Sequence, residues 1–148
     1  MTVRAPTRQP NPRRTRLSVA HVPDSRLMRL LMPPALEAFH TLHSPIYLTY
    51  ASAHLSTLAA QRAVQTAFGL IAMHWPFVVG CPRPAAVAWS QLVASTGSRG
   101  CPLPLTAGCP LQYDAAVLHT RGHDVTAIAD ATGHDASKIR YLLTRQPA

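Results

Sequence analysis

From residue 35 onward, apolar positions recur every three or four residues, the spacing of one face of an α-helix. The first stripe is Leu36, Phe39, Leu42, Ile46, Tyr47, Tyr50 and Ala51. Pro45 lies inside it. The pattern predicts either a kinked helix or a second helix that begins with Ser44 as N-cap and Pro45 in its first turn. After a polar break at Ser56 and Thr57, a second stripe reads Val64, Ala67, Phe68, Ile71 and Trp75, and Pro76 ends it. Residues 76–84 hold three prolines and a glycine and are expected to be a loop. Pro84 opens a third helix with Val87 or Ala88, Trp89 and Leu92 turned inward. Residues 95–109, rich in Gly, Pro and small polar groups, have the composition of a linker. Pro110 starts another helix, carrying Leu111, Ala115, Val117 and Leu118 and ending at Gly122. No stretch has the sustained alternation of a strand.

The most informative pattern is the last, residues 124–145. Asp124 is placed to cap a helix whose inner face is Val125, Ile128 and Ala129. Gly133 supplies the positive φ that ends this helix and turns the chain. Asp135 is then expected to cap a second helix with Ile139, Leu142 and Leu143 inward. Small Ala129 allows the two helices to cross closely. The pattern is that of a helix-turn-helix, and it turns Ala136, Ser137, Lys138, Arg140, Tyr141 and Arg145 away from the apolar seam. These residue types reach phosphates and base edges in a major groove. A helical hairpin that closes a small core and touches no nucleic acid fits the same pattern.

The periodicities predict an all-α protein in four parts. A disordered basic tail (1–34) precedes a small helical domain (35–96), a flexible linker (97–108) and a second small domain (109–148) built on the helix-turn-helix. The chain has 148 residues and a net charge of +8, which favours polyanionic partners. The excess is concentrated at the front: residues 1–29 carry seven arginines against one acid, Asp24. Such a segment lacks the apolar surface to offset its ordering entropy, and its arginines suit non-specific phosphate contacts. In residues 106–148, by contrast, Arg121, Lys138, Arg140 and Arg145 are balanced by Asp114, Asp124, Asp130 and Asp135.

Residue chemistry narrows the classes further. There is no G-x-S-x-G, no Gly-rich phosphate loop and no HExxH, so an enzyme is not expected. Cys81, Cys101 and Cys109 match no disulfide framework or CxxC metal site and read as free thiols. His119, His123 and His134 lie near Asp114, Asp124 and Asp135 in sequence, but four of the six fall at helix ends, where capping explains them. No metal or cofactor is expected. Arg13-Arg14 is followed by no long apolar run, and the longest apolar stretch, residues 67–73, is too short to span a bilayer. A cytoplasmic protein is expected.

In this order the pieces resemble the small bacterial RNA polymerase sigma factors of the extracytoplasmic-function type. The first domain of that family has an aromatic-rich helix followed by a helix of the form A-E-D-x-V-Q-x-x-F. Here residues 39–51 read F-H-T-L-H-S-P-I-Y-L-T-Y-A, and residues 60–68 read A-Q-R-A-V-Q-T-A-F, with Trp75 after them. P-A-A-V-A-W (84–89) is similar to the start of that domain's next helix. The second-domain pattern is matched by residues 112–143, including D-V-T-A-I-A-D-A-T-G-H-D-A-S-K-I-R. The likeness covers roughly residues 36–96 and 105–145.

The resemblance implies a transcription initiation factor. Ser137, Lys138, Arg140 and Tyr141 would face the groove of a promoter's upstream element, with Arg145 on phosphate. The second helix of the first domain, through Gln61, Arg62 and Gln65, would bind the polymerase core. An inhibitory partner of the anti-sigma type also belongs to that picture. The chain departs from the family where it has Gln61-Arg62 for the acidic pair and Thr66 for a further acid. Its third helix ends with only Arg99 where basic residues are usual. These departures equally suit a sigma-like regulator that no longer melts promoters.

Overall fold

The computed structural model describes residues 33–98, 103–105 and 107–145. The expected tail therefore lies outside the described residues except for its last two positions, as do Arg99 and Cys101. Seven helices and no strand occur among the described residues. They are α1 (Pro34–His54), α2 (Thr57–Met73), α3 (Trp75–Gly80), α4 (Pro84–Thr96), α5 (Pro110–Thr120), α6 (Val125–Thr132) and α7 (Ala136–Thr144).

Helix α1 continues through Pro45 rather than restarting there. Proline in a helix interior costs roughly 3 kcal/mol. Here Pro45 itself is exposed, while Ile46, Tyr47, Tyr50 and Ala51 are buried just after it, so packing of this face holds the helix together. The inward stripe also differs from expectation at one position. His43 is buried and Leu42 is 70% exposed. Seven residues after Leu36 the helix has returned to within about 20° of the same face, whereas six residues leave the side chain well off it.

Ser56 caps α2, its hydroxyl accepting from the Ala59 N–H at 3.4 Å. The expected loop over 76–84 is in its first part the short helix α3. Pro76 sits in its first turn, where a missing N–H breaks no helical bond. Pro84 likewise opens α4, which ends at Gly97 in the left-handed region. Its buried face is Ala88, Trp89, Leu92 and Val93, with Val87 only half-buried.

Helices α1, α2 and α4 pack together around an aromatic cluster. Tyr47 stacks on Phe68 with ring centroids 5.1 Å apart, and Trp89 meets the edges of Tyr47 and Tyr50 at 5.5 and 4.8 Å. Helices α5, α6 and α7 form the second group. The two groups share a core: one cluster of buried side chains extends from Leu36 to Ile139 and draws on both.

Polar contacts reinforce this junction. The buried Asp114 carboxylate of α5 accepts from the Tyr50 hydroxyl of α1 at 2.6 Å and from the Trp89 indole N–H of α4 at 2.9 Å. His54 Nε2 lies 2.6 Å from the Tyr113 hydroxyl, which also accepts from the Leu103 N–H. In the expected linker, Ser98 is buried against Tyr50, and Leu103, Leu105 and Ala107 lean on the core. Its described residues are thus packed, because the chain between the two groups carries apolar side chains of its own.

Candidate nucleic-acid interface

The last two helices have the local devices of a helix-turn-helix. Asp124 Oδ1 accepts from the Ala127 N–H at 2.8 Å and caps α6. Gly133, with φ +74°, ends it, and the N–H groups of Gly133 and His134 both donate to the Ala129 carbonyl. Asp135, expected to cap α7, makes no side-chain cap bond, although its extended backbone starts the helix and its carbonyl accepts from Ile139. Its carboxylate instead acts electrostatically on the neighbouring His134.

Helix α7 is anchored by one face. Ile139 is fully buried, with Leu142 and Leu143 half-buried beside it. Gln112 of α5 fixes the far end: its Nε2 donates to the carbonyls of Leu142 at 2.9 Å and Arg145 at 2.6 Å, while its Oε1 accepts from the Gly108 N–H. Carbonyls at a helix C-terminus have no partner within the helix, so this amide meets a need the helix creates. Nothing in the sequence signals this role for Gln112, since the carbonyls to which it donates are 30 and 33 residues away.

The opposite face is open. Ser137, Lys138, Arg140, Tyr141 and Arg145 are all exposed. Lys138, Tyr141 and Arg145 follow one another at single-turn spacing and form one row. Arg145 donates through Nη1 to the Tyr141 hydroxyl, and its guanidinium carbon lies 5.5 Å from the centre of that ring. The row therefore presents a cation backed by an aromatic plane, a combination suited to phosphate and to base faces. Arg140 is exposed as well, about 100° round the helix from Tyr141.

On α2, Gln61, Arg62 and Gln65 are exposed, on the side away from buried Ala60, Ala63, Val64, Ala67, Phe68 and Ile71. The two sets of predicted residues thus occupy separate helices and form separate surfaces.

At its turn the helix-turn-helix docks on the start of α4. A Cβ on Gly133 would stand 2.3 Å from the Ala86 nitrogen, so the two backbones are in direct contact. Alongside, Arg83 Nη1 lies 3.2 Å from His134 Nδ1. A guanidinium only donates, so Nδ1 must accept and the imidazole is neutral. Burial holds the His134 pKa below its ordinary value, and nearby Lys138 and Arg83 lower it further, against the opposing pull of Asp135. Among the described residues no group of three or more His, Cys, Asp or Glu side chains is gathered at metal-binding spacing. Nor is any helix there long and apolar enough to cross a membrane. Comparison of the chain with protein-family models, with curated proteins and with solved structures gave no match.

Proposed function

We propose that this chain is a sigma-like transcription factor that reads promoter DNA with the exposed face of α7. The observation that carries the reading is the division of α7 into a face fixed by Ile139 and Gln112 and an open face bearing Ser137, Lys138, Arg140, Tyr141 and Arg145. A helix held rigidly by one side and lined with donors on the other is what major-groove recognition requires. Ser137, Arg140 and Tyr141 take the base edges, and Lys138 and Arg145 the flanking phosphates. The exposed Gln61, Arg62 and Gln65 face of α2 engages the polymerase core. The protein then acts in the cytoplasm, and an anti-sigma-type inhibitor is its natural regulatory partner.

Two observations favour a second reading, a regulator that keeps the sigma-like fold without promoter melting. Arg62 reverses the charge of the acid at its place in the family pattern, and the shared core ties together two units that the sequence pattern sets on either side of a flexible linker. One experiment divides the readings. Under the first, the purified full-length chain retains core polymerase in a pull-down and supports run-off transcription from a promoter it binds. DNA binding without core retention or transcript assigns the protein to the second. Loss of both DNA binding and core retention contradicts the sigma-like reading altogether.

A further inference from the structure

The DNA-facing helix works from a segment with no net charge. The four cations of residues 106–148 are matched by four aspartates. The fold supplies another cation from outside that segment. Because Gly133 packs onto Ala85 and Ala86, the residue just before α4 is brought against the turn that precedes α7. That residue is Arg83, and its side chain is exposed. It lies on His134, with Lys138 acting on the same imidazole from the first turn of α7. The charged groups facing His134 are thus two cations, Lys138 and Arg83, and one acid, Asp135. Such a corner repels itself in the free protein and gains most when an anion enters.

We propose that Arg83, His134 and Lys138 form a phosphate-binding corner that grips the DNA backbone at the N-terminal end of α7. The assignment rests on α7 facing DNA, and it deepens that reading by adding a contact from α4's side of the molecule. Arg83 neutralises a phosphate, which carries no sequence information, so it sets affinity and position rather than specificity. His134 changes state with the contact. Its imidazole, neutral in the free chain, takes up a proton when a phosphate replaces it as the acceptor for Arg83. Proton uptake on binding means affinity grows as pH falls through the imidazole's bound-state pKa and levels off below its free-state pKa.

Because a phosphate contact is indifferent to sequence, a random-sequence DNA duplex is a sufficient probe. Its affinity for the full chain is measured by fluorescence anisotropy across a sodium chloride series. Arg83→Gln is expected to weaken binding several-fold at low salt and to make the slope of log K against log salt shallower by about 0.9, the loss of one phosphate contact. Arg83→Lys restores the slope, which distinguishes phosphate contact from a local packing role. Between about pH 7.5 and about pH 5.5 the wild type gains affinity that His134→Gln does not gain in full. An Arg83→Gln slope equal to wild type, in a protein folded by circular dichroism, overturns the corner. If Arg140→Ala weakens binding in that case, the reading of α7 stands without it. Absence of any binding by the wild type overturns both.

Discussion

Two tyrosines on α1, three positions apart and both fully buried, have opposite polar surroundings. The Tyr50 hydroxyl donates to Asp114 and meets Ser98, whereas the Tyr47 hydroxyl has no hydrogen-bond partner among the described residues. Burial pushes both phenol pKa values well above the ordinary one, and at Tyr50 the Asp114 charge adds to it. A buried polar group without a partner is destabilising, and a buried carboxylate that loses one is worse. Tyr47→Phe should therefore raise stability by about 1 kcal/mol, and Tyr50→Phe lower it by about 1.5–3 kcal/mol, measured by urea denaturation. Equal effects would contradict the difference in surroundings. His43, buried against Phe39 and Tyr47, has its pKa held below 6.5 by burial, with Asp130 opposing. The unfolded chain therefore binds a proton that the folded chain resists. This contribution is present above the ordinary histidine range and is lost as pH falls through 6.5 toward the folded-state value. His43→Gln should show a smaller drop in melting temperature than wild type over that pH interval.

At the scale of single elements, the helix-turn-helix turn carries two demands at once. Gly133 needs positive φ, and its hydrogen faces the backbone of Ala85 and Ala86 at a distance no Cβ tolerates. Gly122 also has positive φ but opens on empty space. A left-handed conformation costs a non-glycine residue about 1–2 kcal/mol, so Gly122→Ala should lose about that much. Gly133→Ala should lose clearly more, because the α4 contact must open as well. Denaturation midpoints of the two variants decide it. Gly133 illustrates how far the sequence reaches. Its turn was legible because the φ requirement is local, and so was the Asp124 cap. Its contact with α4 was not, because nothing near residue 133 encodes what lies 47 residues earlier. The same division runs through the rest. The helical stripes on α2, α4 and α6 follow from spacing alone. The inward place of His43 is not legible from residue type, which favours apolar Leu42; only the angle along the helix gives it. Gln112, Asp114 and Arg83 depend on pairings that only the folded chain reveals. The face of α7 was readable because Ile139, Leu142 and Leu143 mark its inner side.

For the whole molecule the consequential feature is the shared core. Trp89, Tyr50 and Asp114 bind the first group of helices to the second, and Ile139 at the far end belongs to the same cluster. Ile139→Ala should cost about 2–5 kcal/mol, as for other large-to-small changes at buried sites. If the groups are one cooperative unit, that loss appears undiminished in the unfolding transition reported by tryptophan fluorescence, although Trp89 lies on α4 of the first group and Trp75, at the start of α3, packs against Phe39 of α1. A tryptophan transition unmoved by Ile139→Ala would mean that the two groups unfold separately. One unit also gives α7 a firm base and brings Arg83 to its side, which offsets the lack of net charge in its own segment.

The proposed function turns on whether the open face of α7 reads DNA. Selection of bound sequences from a randomised duplex library by the full-length chain tests this most directly. The wild type should enrich a common motif, and Arg140→Ala should lose about 1–3 kcal/mol of preference at one position of it. A library that emerges without enrichment, or a motif that Arg140→Ala reads unchanged while remaining folded, would contradict the reading of α7.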